Sequence, residues 1–162
     1  MPGRAGEKGE VVAVTTFRVS PEDALLGLKA SSEEEVIHQL CEHLTAQKTI
    51  VPGYEESLLE REDNYPTGLE LGEICAAIPH TDPQYARATK LVVATLANPV
   101  AWKNMEDPDE QVQVSVVVLS LFDKPEKQID AFQKIMGVIQ DQDTLKKALN
   151  ASNVDEVVDI FN

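Results

Sequence analysis

Between residues 32 and 47 the apolar side chains Val36, Ile37, Leu40, Cys41 and Leu44 recur every three or four positions, with polar residues between them. That spacing collects them on one face of a helix, because residues three and four apart stack on the same side. Ser31 and Ser32 precede Glu34 and Glu35, so two overlapping capping boxes are available at its start. Pro52-Gly53 then breaks the chain, and a second, shorter helix is expected from Tyr54 to Glu62. Tyr54, Leu58 and Arg61 form its inward stripe. An arginine on such a stripe needs an acceptor, since burying its charge unpaired is costly. An ordinary ion pair at a helix end, where a cation suits the dipole, is the plainer reading.

The remaining pattern is dominated by short apolar runs. Val11 to Phe17 is rich in β-formers, and Ser20-Pro21 marks a turn. Pro66-Thr67-Gly68 is another turn, after which Ile74-Cys75-Ala76-Ala77-Ile78 reads as a strand buried on both faces. Pro79 ends that strand, leaving His80 where an interior strand opens into the Asp82-Pro83 loop. Leu91 to Leu96 is a further buried strand, and Pro99 to Asp109 reads as an irregular crossover containing Trp102. Val112 to Leu119 alternates and then becomes wholly apolar, as a strand does when it enters the interior. Asp123, Pro125 and Glu126 suit the cap, first turn and N3 position of a late helix. Its stripe is Ile129, Phe132, Ile135, Met136 and Ile139, and two short helices follow, split near Asn150 to Asn153. Strands and helices alternate throughout, which predicts an α/β fold: a central mixed β-sheet flanked by helices on both faces, a three-layer sandwich with at least one antiparallel pair.

Composition narrows the picture. The chain has 162 residues, 43% hydrophobic and 26% charged, enough for one core. Residues 1–10 hold three of the eight glycines without periodicity, so a loose tail and a single domain over 11–162 are expected. No apolar run approaches the roughly 20 residues that span a bilayer, and no signal-peptide pattern opens the chain, so a cytoplasmic protein without membrane insertion is expected. Cys41 and Cys75 lie in apolar patterns and read as buried thiols. The formal net charge of −14 argues against nucleic acid, whose phosphates call for a basic surface, and is compatible with a basic protein partner.

Few residues carry chemistry. There is no glycine-rich phosphate loop, no serine elbow and no Cys/His cluster at zinc spacing, so no metal is expected. The acidic runs Glu33-Glu34-Glu35 and Glu106-Asp107 read as solvated faces. His38 and His43 flank the first helix's stripe too far apart around the axis to share a metal, and read as boundary residues. His80 stands apart by its position at a strand end. On the residues alone it is either a functional nucleophile or a satisfied interior histidine.

Three short motifs add to this. Leu58-Leu59-Glu60-Arg61-Glu62, then Pro66-Thr67-Gly68-Leu69, then Ala77-Ile78-Pro79-His80 form the ordered pattern L-x-x-R-E, T-G, A-I-P-H. In this the chain resembles the enzyme IIA component of the bacterial sugar phosphotransferase system, in its fructose–mannitol class, from about Val36 to Ile139. The Pro66 to Leu69 and Pro79 to Asp82 segments, with Val114 to Gln128, lean toward galactitol-type members. The resemblance implies that His80 accepts a phosphoryl group from the phosphocarrier protein HPr and donates it to an enzyme IIB component, without a cofactor. It also implies that Arg61 steadies the phosphohistidine. Backbone N–H groups of Thr81 and Asp82 are placed to hold remaining oxygens. Mannitol-type members carry a further histidine where this chain has Gln128, which either donates an amide hydrogen bond to the phosphate or sits at the surface. Transfer of this kind rests on positioning and charge stabilisation, so it needs no metal. Galactitol or a related polyol is the sugar implied by the subtype. Two other readings stay open: a regulatory relative in which phosphorylation of His80 switches protein binding, and an interaction module whose histidine is never phosphorylated.

Overall fold

The computed structural model describes residues 17–162. The tail at residues 1–10 and most of the Val11–Phe17 run therefore lie outside the described residues. Among the described residues five strands, β1 (Ala24–Leu28), β2 (Gly68–Leu69), β3 (Cys75–Ala77), β4 (Lys90–Lys103) and β5 (Gln111–Leu121), form one sheet in the order β1-β4-β5-β3-β2. β1 runs parallel to β4 and β3 parallel to β5, while β4–β5 and β2–β3 are antiparallel. Helices α1 (Glu33–Ala46) and α2 (Tyr54–Asn64) cover one face, and α3 (Gln128–Ile139), α4 (Gln142–Leu149) and α5 (Val154–Phe161) cover the other. This is the expected mixed sheet between two helical layers.

The packing explains why these segments take these forms. On α1 the five residues of the predicted stripe are all buried against Cys75, Ala77, Val92 and Ala94 of the sheet. Each large side chain buried this way contributes about 1.5–3 kcal/mol. Ser32 caps the helix by accepting from the Glu35 N–H, and Ser31 Oγ donates to Glu35 in return. Residues of β5 enter both layers: Val114, Val117 and Leu119 face α1 and α2, while Val116 and Val118 face the other helices, the alternation changing phase between Val114 and Val116 where the pairing with β3 shifts register. Ala76 and Ile78 join that second layer with Ala131, Ile135 and Ile139 of α3.

Several expectations are corrected. The buried stripe of α2 is Tyr54, Leu58 and Glu62; Arg61 sits at its margin, half-buried. Residues 99–103 are not a crossover but the second half of β4, which resumes after an irregularity between Thr95 and Val100. Proline is tolerated there because the ladder is interrupted. The hairpin tip then returns over β2, where Met105 N–H donates to the Gly68 carbonyl at 2.8 Å. β1 and β2 were not foreseen, since Ala24–Leu28 lacks alternation and Gly68-Leu69 reads as a turn. Asp123 does not cap α3. A short 3-10 turn, Pro125–Lys127, precedes that helix, and the Asp123 carboxylate instead accepts from Thr89 and Lys127. α3 buries Ala131, Ile135 and Ile139, leaving Ile129 68% exposed.

Gly68 is the tightest backbone contact in this arrangement: a Cβ there would stand 2.5 Å from the Lys103 carbonyl oxygen and 3.2 Å from the Trp102 ring. Gly68→Ala is expected to lower stability by about 1–3 kcal/mol, as overpacking does. Urea denaturation should show a lower midpoint with an unchanged slope.

Candidate functional site

His80 follows β3 by three residues, and the chain continues into it as an extension of the buried strand. The Pro79 carbonyl still accepts from Ser120 N–H of β5. Ile78 belongs to the layer under α3, and His80, two residues on, faces the same way. Its ring meets Phe132 of α3 edge-on at 4.8 Å between centroids and Phe122 at 6.3 Å. The residue is 7% exposed. Nδ1 lies 3.1 Å from the Ile78 carbonyl oxygen, which can only accept, so Nδ1 carries the proton. Nε2 is thereby left with its lone pair.

His80 opens on a cavity of about 370 Å³ lined by Arg61, Asn64, Tyr65, Thr67, Met105 and Phe132, among others. Arg61 is the one cation among the described lining residues. Its Nη1 donates to Asp82 Oδ1 at 3.0 Å, and its guanidinium lies 6.0 Å from the Tyr65 ring centroid. Burial pushes the His80 pKa below its usual value, and the nearby Arg61 charge pushes the same way. The Ile78 hydrogen bond and the Asp82 carboxylate oppose this without reversing it. Near neutral pH the ring is therefore an uncharged imidazole with Nε2 unprotonated, the form that attacks an electrophile.

Glu62 holds this wall in place from beneath. Its buried carboxylate accepts from Thr67 N–H at 3.2 Å, Thr67 Oγ1 at 2.7 Å and Trp102 Nε1 at 2.7 Å. Thr67 in turn accepts from Ile78 N–H through its carbonyl, at 3.3 Å. Helix α2, the 65–67 turn and strand β4 are thus tied to the strand that delivers His80. Burial raises the Glu62 pKa, and its three donors offset only part of that rise.

His80 and Arg61 line the same cavity, and Asp82, singled out in the sequence for its backbone N–H, pairs with Arg61 through its carboxylate instead. Thr81 is buried, with its hydroxyl bonded to Ser57, one helical turn before Arg61 on α2. Among the described residues the N–H groups of His80, Thr81 and Asp82 donate to no acceptor. Gln128, half-buried at the first turn of α3, does not line the cavity; Phe132, one turn later, does. Sequence reasoning missed Glu62, Ser57, Tyr65, Met105 and Phe132. The i, i+4 spacing of Ser57 and Arg61 was a readable signal. Tyr65, Met105 and Ile129 are the three exposed large hydrophobics of the described residues, and the first two line the cavity.

Residues 19–162 match the family model described as phosphoenolpyruvate-dependent sugar phosphotransferase system, EIIA 2. The chain is 24% identical over 120 residues to the PTS system galactitol-specific EIIA component of Escherichia coli K12, covering 74% of this chain and 79% of that one. Its fold is similar to that in the complex of enzyme IIAMTL and phosphorylated enzyme IIBMTL from Escherichia coli. There the TM-score is 0.71 at 23% identity, over 90% of this chain and 97% of the other. It is likewise similar to the nitrogen regulatory protein IIA-Ntr from Neisseria meningitidis, with a TM-score of 0.74 at 17% identity, over 93% and 99% of the two chains.

The electrostatics of His80 give a measurable sign. Because its folded pKa is depressed, an NMR titration of the ring should place it below the unfolded value of about 6.5. The unfolded chain then binds the proton first, so stability should be fully present above about pH 6.5. It should fall as pH drops toward the folded pKa. His80→Asn should flatten that part of the stability profile, and an unchanged profile would mean the ring is not buried neutral.

Proposed function

The chain belongs to the EIIA 2 family of the phosphoenolpyruvate-dependent sugar phosphotransferase system, and on that premise we propose that it carries a phosphoryl group on Nε2 of His80, receiving it from phospho-HPr and passing it to an enzyme IIB component in the cytoplasm. The observation that carries this reading is the Nδ1–H to Ile78 carbonyl bond, which leaves Nε2 unprotonated on a ring that lines the same cavity as Arg61. The likeness to the IIAMTL–IIBMTL complex supports the IIB partner. Galactitol or a related polyol is the sugar favoured, on the galactitol-specific relative.

In the transfer, the Nε2 lone pair attacks phosphorus as the phosphorus–nitrogen bond of the donor breaks, and the donor ring recovers its own lone pair. Positive charge develops on the His80 ring as the new bond forms. The Ile78 carbonyl, already bonded to Nδ1–H, stabilises that charge without moving. Arg61 meets the phosphoryl oxygens with charge-assisted bonds worth about 1.5–3 kcal/mol each. The N–H groups of Thr81 and Asp82, which donate to no acceptor among the described residues, are available to the remaining oxygens. Passing the group onward reverses these changes.

The partner surface follows from what surrounds the cavity. Tyr65 and Met105 offer apolar area, while the hairpin tip beside Met105 carries Glu106, Asp107, Asp109 and Glu110. An apolar centre with an acidic rim suits partners with basic surfaces around their own reactive residue.

Incubation with enzyme I, HPr and labelled phosphoenolpyruvate should place one acid-labile phosphoryl group on the protein. His80→Ala should take none, and label retained by that variant would sink the proposal. Arg61→Ala should keep its fold but transfer about 10- to 100-fold more slowly, the loss of one such bond. Wild-type rates would remove its role. A chain that labels on His80 yet passes nothing to any IIB protein would be regulatory instead.

A further inference from the structure

Asp82 stands two residues beyond His80, and its carboxylate occupies the Arg61 guanidinium at 3.0 Å. Among the described residues this is the side chain's single hydrogen-bond partner. Asp82 is 54% exposed and Arg61 33%, so burial does not force the pair together. Both charges reach the His80 ring: Arg61 disfavours its protonation and Asp82 favours it. The cation expected to meet a phosphoryl group is therefore already paired with a carboxylate. That carboxylate stands on the same loop as the acceptor.

We propose that Asp82 sets the phosphoryl-transfer potential of this site, by competing with the phosphoryl group for Arg61 and repelling it directly. The proposal rests on the reading of His80 as the acceptor. A phosphoryl group on Nε2 brings nearly two negative charges into a cavity whose described lining holds one cation. A guanidinium binds such a group best with two parallel donors, and Nη1 is engaged by Asp82. Loading the site then requires Arg61 to leave the carboxylate or divide its donors, beside a like charge that stays nearby. The empty state is stabilised and the loaded state is destabilised. Discharge restores the ion pair as the phosphorus–nitrogen bond breaks and Nε2 regains its lone pair. Asp82 thus favours passing the group on over keeping it. It is a tuning residue, acting through Arg61 and through its own field.

Asp82→Asn keeps the shape and a neutral acceptor for Arg61 while removing the charge; Asp82→Glu keeps the charge. The equilibrium constant for exchange between phospho-HPr and the full chain should move about tenfold toward phosphorylated protein in Asp82→Asn, at low salt. Discharge back to unphosphorylated HPr should slow correspondingly. Asp82→Glu should stay within about twofold of the wild type. The Asn effect should shrink in about 0.5 M salt, which screens charges that are partly exposed. An Asn variant with the wild-type equilibrium overturns the proposal, and so does one shifted toward unphosphorylated protein. A wild-type chain that takes no label from phospho-HPr overturns the His80 reading as well. A labelled wild type with an unshifted Asn variant overturns this inference alone.

Discussion

The Glu62 carboxylate accepts from three donors on two other segments while lying 1% exposed, and the geometry around His80 depends on it. Its neighbour Arg61 points into the cavity because Glu62 points inward. The 65–67 turn lines the cavity because Thr67 is held at both its N–H and its hydroxyl. Trp102 anchors the returning hairpin whose tip supplies Met105. Each of those buried donors would cost about 1–3 kcal/mol if left unpaired. The buried acid is therefore what keeps a helix, a turn and a strand from settling independently around the histidine.

How much of this was legible in the sequence depended on the kind of signal each residue gave. The α1 stripe, the buried β3 run and the apolar end of β5 were readable because their burial is simple: one face or two faces, filled by aliphatic side chains. The L-x-x-R-E motif pointed at the correct turn of α2 but gave its two members the wrong emphasis. Periodicity favours placing the arginine inward at i+7, whereas the helix rotates slightly and buries the glutamate at i+8. Nothing local reveals that choice, because the donors that satisfy Glu62 come from Thr67 and Trp102, the latter far along the chain. The same holds for residues 99–103, which contain a proline and an isolated tryptophan and so lack a strand's alternation. Their strand character comes from pairing with β5. Ile129 shows the converse error, since its place on the helical stripe suggested burial that α3 does not give it.

The site's electrostatic economy also contrasts with the chain as a whole. With a formal charge of −14 the surface repels anions at long range, and the described residues that line the cavity include one cation. A free phosphate ion gains little by approaching such a protein. On the proposed reading, a phosphoryl group delivered by a partner that covers the acidic rim would meet a different field, with a neutral ring and a guanidinium in the same cavity. On that reading the arrangement would discriminate by route of arrival more than by affinity for the group itself. It also ties the reactivity of the ring to its burial, since the surroundings that keep His80 neutral are the same apolar residues that close it from water.

The strand order has a consequence for how the molecule is assembled. β4 and β5 are joined by the loop at 104–110 and form a hairpin, the kind of local pairing that closes on the microsecond scale. β1 and β3 must instead be brought to its two sides as parallel partners across long stretches of chain, and such pairings bear the entropy of closing large loops. β3 ends three residues before His80, and its other neighbour, β2, comes into place through the Thr67–Glu62 contact. The apolar surroundings of His80 thus depend on this non-local pairing and on Phe132 of α3, so a chain in which β3 has not joined β5 would present an ordinary solvated imidazole.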